Sequence, residues 1–243
     1  MPRDFTDCDK SCAWMRGLTE RELDRVAGDL QVQEVVPGDM VCRRGEPARH
    51  WIGVLDGLVK IASVSVSGKA LTYTGVAPGG WFGEGTLLKH EHWRYDVIVL
   101  RKGRLGLLSA ETFFWLLDRS LEFNRLIVNQ LNERLGQFIG QLQIDRLSGA
   151  NERVAHTVAA MFHPVLYPGV DRRLRISQEE LGYLCGLSRQ RVNRALSHLS
   201  DQGLLQLRYG GIEVPDLEAL RGYESGASDG EEASGRHSGK PFE

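Results

Sequence analysis

Arg189, Gln190, Asn193 and Arg194 fall within six consecutive positions, and their side chains are those that read base edges. Arginine forks two N–H donors onto guanine, while glutamine and asparagine offer adenine one donor and one acceptor. The surrounding stretch, "SQEELGYLCGLSRQRVNRALSHLSDQGLL" from Ser177 to Leu205, predicts what holds them. Counting Gln178 as the first position, apolar residues fall at the fourth, eighth, tenth, fifteenth and eighteenth: Leu181, Cys185, Leu187, Val192 and Ala195. Gly182 allows two helices to cross closely, Gly186 supplies a tight turn, and Ser188 can cap the second helix. This is a helix-turn-helix pattern. The four polar residues occupy the N-terminal end of its second helix and point away from the wedge, the end that enters a major groove.

The charge agrees. The chain has 243 residues and a formal net charge of −2, yet between Arg172 and Arg194 six arginines stand against two glutamates. A local basic face of this kind suits phosphate contact. Ser177, Ser188 and Arg191 are the candidate phosphate contacts, and double-stranded DNA is the expected partner.

Other chemistry is thinly represented. The four cysteines, Cys8, Cys12, Cys42 and Cys185, are too scattered for a disulfide framework. Cys8 and Cys12 lack the second pair that a metal or cluster site needs, so reduced thiols are expected. His90-Glu91-His92 reads as an exposed loop, and no metal is expected. No nucleophile elbow, phosphate-cradling loop or paired carboxylates are found, so the chain does not read as an enzyme. It begins without a secretory pattern and has no apolar run of membrane-spanning length, which predicts a cytoplasmic protein with no membrane contact.

The elements that position these residues form three regions. A helix over Leu18–Leu30 is capped by Thr19 with Glu22 at the capping-box position. Short alternating runs cut by P-G, R-G, D-G, S-G-K and P-G-G turns then predict an antiparallel β-roll over residues 18–109, ending in a hairpin turned at Lys102-Gly103. Residues 110–147 contain no proline and are helical. Within them Leu121, Val128, Leu131, Leu135, Phe138 and Leu142 recur at steps of three, four and seven, with Asn124 in the remaining slot. That is a dimerisation seam in which a single Asn can fix register; a helix burying one stripe on the roll would need a similar pattern. Gly136 and Gly140 would let a backbone or ligand approach. Residues 148–222 carry a helix capped by Asn151, a strand "RLRIS", the helix-turn-helix and a β-hairpin turned at Gly210-Gly211. The Gly/Ser/acid-rich tail, 223–243, is expected to be disordered. The fold class is α+β.

A roll ending in "PGGWFGE", a long helix, and "GLSRQRVNRAL" followed by a small hairpin resemble the cyclic-AMP receptor protein/FNR family of bacterial transcription regulators, from about Leu18 to Val214. The resemblance implies an N-terminal cyclic-nucleotide-binding-like jelly roll, a homodimer and a C-terminal winged helix-turn-helix, whose paired recognition helices read a palindrome. RNA polymerase is a further implied partner. Arg189 and Arg194 match the family's base-contacting arginines, while Gln190 stands where many members carry glutamate. In the roll, the "FGE" of Gly83 and Glu84 matches the site of the ribose hydroxyl, and Arg94 that of the cyclic phosphate. Tyr95 replaces the usual Ser or Thr, Asp96 follows, and Phe138 and Ile139 replace a polar pair that receives adenine. These departures speak against cyclic AMP itself and leave another cyclic nucleotide, a cyclic dinucleotide, or no ligand, with Glu84 and Arg94 then a salt bridge within the roll. The alternative for the whole chain is a ligand-binding or protein-partner module whose helix-turn-helix does not read DNA.

Overall fold

The computed structural model describes residues 11–64, 70–147 and 149–224. Cys8, the expected S-G-K turn and the expected tail beyond Glu224 lie outside them. After a 3₁₀ turn at Ala13–Gly17, helix α1 (Glu20–Asp29) starts with the Thr19–Glu22 capping box. Strands β1 (Gln31–Val35), β2 (Met40–Cys42), β3 (His50–Val64), β4 (Ala70–Val76), β5 (Trp81–Phe82) and β6 (Asp96–Ser109), with the short helix α2 (Glu84–Leu88) before β6, form one antiparallel sheet. Its main path runs β1-β6-β3-β4, with β2 on β6 and β5 on β3.

The expected hairpin at Lys102-Gly103 is absent; β6 is continuous there and pairs along its length with the long strand β3. The D-G and K-G signals instead face each other across a ladder whose register shifts between Val54 and Val59. Gly57 has φ +96°, and a Cβ on Gly103 would lie 2.0 Å from the Asp56 carbonyl oxygen. Two strands bend together at this point, and only glycine lets their backbones meet so closely.

Residues 11–17, outside the expected roll boundary, pack into it. Ser11 Oγ donates to Leu55 O at 2.8 Å, and the Trp81 indole donates to Ser11 O at 2.9 Å. Trp14, Trp51, Trp81, Phe113 and Phe123 form an edge-to-face cluster around them, an arrangement that adds to the stabilisation from burying large rings.

Helix α3 (Ala110–Arg119) breaks at Ser120 before α4 (Leu121–Leu147). Asn124 Nδ2 donates to Leu117 O and Ser120 O across that break, so its amide closes the end of α3. Phe123 and Ile127 are buried against the roll, whereas Leu121, Val128, Leu135, Ile139 and Leu142 are more than half exposed. Leu131 and Phe138 are half-buried instead. The helix therefore has two apolar faces and covers only one. Nothing approaches Gly136 or Gly140 within the described chain.

The last part comprises α5 (Ala150–Ala160), β7 (Arg173–Leu174), α6 (Gln178–Cys185), α7 (Arg189–Asp201), β8 (Gln206–Arg208), β9 (Gly211–Glu213) and α8 (Leu217–Arg221). The α5 cap is Gly149 rather than Asn151, with the Glu152 carboxylate accepting from Gly149 N at 3.2 Å. The wing turns at Tyr209-Gly210, one residue earlier than expected, since Arg208 pairs with Gly211. Tyr223 shares a 3.2 Å hydrogen bond with His198, so the folded unit extends past residue 222. This module packs on the roll: Tyr167 Oη donates to Gly75 O at 2.9 Å, and Leu184 occupies the space a Gly75 side chain would need.

Candidate nucleic-acid interface and ligand cavity

Helix α7 is held by its buried side. Val192, Ala195, Leu196 and Leu199 pack against Leu181, Leu184 and Cys185 of α6, and Gly186 makes the turn at φ +64°. A Cβ on Gly182 would stand 2.9 Å from the Leu187 carbonyl oxygen, so the close crossing requires glycine. Ser188 Oγ accepts from Arg191 N at 3.4 Å, and Ser177 caps α6 in a reciprocal box with Glu180. With that side fixed, Arg189, Gln190, Arg191, Asn193 and Arg194 are all exposed. All the residues proposed to read bases therefore share one open surface.

A link that sequence reading missed crosses the two helices. Gln178 Nε2 donates to Asn193 Oδ1 at 2.9 Å, which pre-orients Asn193 and leaves its amide N–H donors pointing outward for pairing. The arginine cluster also divides. Arg189, Arg191 and Arg194 lie on α7, whereas Arg173 and Arg175 face a cleft toward the roll.

The roll encloses a cavity of about 370 Å³ lined in part by Gly83, Glu84, Arg94, Tyr95, Arg134 and Phe138. Gly83 has φ +100°, and a Cβ there would meet the Trp93 ring at 2.7 Å. This forced glycine turns the chain so that Glu84, the first residue of α2, points inward and is 2 % exposed. Its partner is Arg134 of α4, with Nε 3.3 Å from Oε1. Glu84 Oε2 and Arg134 Nη1 are buried with no hydrogen-bond partner. Burial works against the Arg134 charge, but the Glu84 carboxylate together with Tyr167 and Tyr95 outweighs it and raises the guanidinium above its ordinary value.

Glu84 and Arg94 are not a pair. Arg94 is at the exposed rim, forking onto Glu91 at 2.9 and 3.1 Å. Asp96 is engaged elsewhere and accepts from Arg44 N at 2.9 Å. Tyr95 stacks edge-on against Trp93 and lines the cavity. Phe138 lines it too, while Ile139 is exposed to the outside. Arg134 escaped sequence reading; its spacing of three and four from Leu131 and Phe138, on one helical face, was the available signal. In the His90-Glu91-His92 loop, His90 stacks on Phe114. Among the described residues no group of three or more His, Cys, Asp or Glu could hold a metal, and no helix is long and apolar enough to cross a membrane.

Residues 32–120 match the cyclic nucleotide-binding domain, and residues 152–223 match the Crp-like helix-turn-helix domain. The chain belongs to the CRP/FNR family of transcription regulators. It is 26% identical to the cyclic AMP receptor protein of Thermus thermophilus over 213 residues, covering 87% of this chain and 96% of that one. It is 27% identical over 203 residues to the transcriptional regulator SdrP of the same organism, covering 80% and 90%. The structure of FixK2 from Bradyrhizobium japonicum shares the fold, with a TM-score of 0.66 at 19% identity over 82% of this chain and 99% of that one. This CRP/FNR-family chain is thus a transcription regulator with a nucleotide-binding-type roll and a DNA-binding helix-turn-helix. The orphaned Glu84 and Arg134 atoms test the fit of such a ligand. A sugar hydroxyl can donate to Glu84 Oε2 and an anionic oxygen can accept from Arg134 Nη1, with Lys89 and Arg94 at the rim. Phe138 offers a purine a face but no hydrogen bond.

Proposed function

We propose that this regulator acts as a homodimer that reads a palindromic DNA site through α7 and is set by a small anionic ligand in the roll. The observation that carries the reading is the α7 surface: Arg189, Gln190, Asn193 and Arg194 are exposed together above the buried wedge residues Leu181, Cys185, Val192 and Ala195. Arg189 and Arg194 fork onto guanine, Gln190 and Asn193 pair with bases beside them, and Ser177, Ser188 and Arg191 hold phosphates. The dimer forms along Leu121, Asn124, Val128, Leu131, Leu135, Phe138 and Leu142, whose outward members are exposed among the described residues of one chain. Each such leucine buried at a seam contributes about 1.5–3 kcal/mol.

The effector carries hydroxyl and phosphate groups, as a cyclic nucleotide or cyclic dinucleotide does, for Gly83, Glu84, Arg134 and the rim arginine Arg94. Tyr95 and Phe138 flank its base or other flat part. Ligand contact with both Glu84 of the roll and Arg134 of α4 couples occupancy to the long helix and so to the spacing of two recognition helices. The work is done on DNA in the cytoplasm with RNA polymerase as a partner, and no catalytic step is involved.

The test is selection of bound sequences from a random DNA pool by the full chain, with and without a panel of cyclic nucleotides. A palindrome with half-sites one helical turn apart supports the reading, and its dependence on one nucleotide identifies the effector. No enriched palindrome under any condition contradicts it and favours a partner-binding module.

A further inference from the structure

A second cavity, of about 560 Å³, lies between the roll and the DNA-binding module, apart from the one around Glu84. Its back wall is a direct meeting of two backbones. Gly169 N donates to Pro78 O at 3.1 Å, and a Cβ on Gly79 would come within 2.4 Å of Gly169 N. The two parts thus touch at glycine, and among the described residues nothing fills the space in front of them.

Its walls are basic on both sides. Arg101, Lys102 and Arg104 line it from β6, and Arg173 and Arg175 line it from β7 and the residue following. Among the described residues, Asp56 and Asp171 are the carboxylates lining it against these five cations, and Glu180 of α6 neutralises Arg101 from outside the lining. Asp56 Oδ1 is already held by Gly57 N at 2.8 Å. Arg101 forks onto Glu180 of α6 at 3.1 and 2.5 Å, and Arg173 donates to Tyr209 O on the wing. Like charges gathered around one cleft sum to a positive potential, which a bound anion relieves.

We propose that this cleft is a binding site for a nucleotide-sized polyanion carrying two or more phosphates. The volume falls in the usual range for small-molecule sites. Cations come from two elements, β6 on the roll and the β7 segment of the DNA-binding module, so a ligand with separated phosphates can bridge them with charge-assisted hydrogen bonds. A DNA duplex is too wide to enter. Because Arg101 also holds Glu180, an anion in the cleft competes for one of the contacts that tie α6 to the roll, and so shifts the population of α7 positions. The site is independent of the roll cavity and of what that cavity binds.

The test is calorimetric titration of the full chain with three probes: cyclic di-GMP, guanosine tetraphosphate and inorganic tripolyphosphate. Cyclic AMP serves as the single-phosphate comparison. Wild type is compared with Lys102→Glu, Arg175→Glu and the milder Arg175→Gln, each checked for an unchanged thermal midpoint. Glu84→Gln, which alters the roll cavity, tells the two sites apart. At least one multi-phosphate probe is expected to bind once per chain, about tenfold or more weakly in either charge reversal, and as in wild type in Glu84→Gln. Binding of tripolyphosphate alongside the nucleotides means recognition by charge; binding of one nucleotide alone means its base is read too, and both support the site. Three results overturn it: no saturable binding of any of the three probes, binding indifferent to both charge reversals, or binding lost only in Glu84→Gln. Charge reversals that weaken DNA affinity while no probe binds would reassign these cations to flanking DNA.

Discussion

Arg134 on α4 lies with its Nε 3.3 Å from Glu84 Oε1 at the start of α2, and the two side chains are buried together although fifty residues separate them. The pair joins the roll to the long helix, reinforced by Arg134 Nη2 and Gln130 Nε2, which both donate to Trp81 O at 2.8 Å. Removing one partner strands a buried charge. Glu84→Ala is expected to destabilise the roll by about 3–5 kcal/mol, and Glu84→Leu combined with Arg134→Met to recover most of that loss. Urea denaturation followed by tryptophan fluorescence, which reports on the cluster beside the pair, measures both.

Tyr95, in the same cavity, has its hydroxyl pushed up to about 12, first by burial and next by the negative charge of Glu84. The folded state therefore holds this proton more tightly than the unfolded chain, where tyrosine titrates near its ordinary value of about 10. Its contribution to stability is complete below about pH 10 and is lost as the pH rises toward 12. Tyr95→Phe is expected to flatten that alkaline decline relative to wild type while leaving the pH 7–9 region parallel, as read from denaturant midpoints across the series.

The bend shared by β3 and β6 gives a steric prediction. Gly103→Ala puts a methyl group onto the Asp56 carbonyl and is expected to cost about 1–3 kcal/mol or more, the range for forced overpacking. Gly136→Ala, where nothing lies within 4 Å in one chain, is expected to be neutral or slightly stabilising to the monomer through helix propensity. Thermal midpoints of the two variants check the contrast.

This bend also marks where sequence reading stops. The helix-turn-helix was readable because its constraints are local: a crossing glycine, a turn glycine and a cap lie within eleven positions of Gln178. Asp56-Gly57 and Lys102-Gly103 carry the same local signal as a hairpin turn, and only their pairing across more than forty residues turns them into facing bulges. Glu84 was recognisable from its motif, but its partner was not, because the α2–α4 contact is tertiary. Arg94, at a motif position, turned out to be at the rim on Glu91. On α4, the heptad steps identified Leu121, Val128, Leu135 and Leu142, which the fold leaves exposed, but passed over Ile139 on the same open side. Asn124 fitted the seam by spacing and is tied to the α3 terminus by hydrogen bonds no periodicity encodes.

The open side of α4 predicts the oligomeric state. Wild type is expected to sediment at twice the chain mass, and Val128→Glu or Leu135→Glu to shift it to the monomer at micromolar concentration, since burying an unpaired carboxylate in an apolar seam is strongly unfavourable. Because two recognition helices are needed to span a palindrome, the same variants are expected to lose specific DNA affinity; their thermal midpoints fall with the lost dimer contacts, while circular dichroism at room temperature shows the helix content of wild type.

The central claim, that α7 reads bases, is tested most directly by measuring affinity for the selected palindrome and for scrambled DNA at one fixed salt concentration, comparing wild type with Arg189→Ala and Arg194→Ala. Each substitution is expected to weaken the palindrome by about 1–3 kcal/mol per half-site contact and to leave scrambled DNA nearly unchanged. Equal losses on both DNAs would reduce these arginines to phosphate contacts, and no loss on either would contradict the reading of this helix altogether.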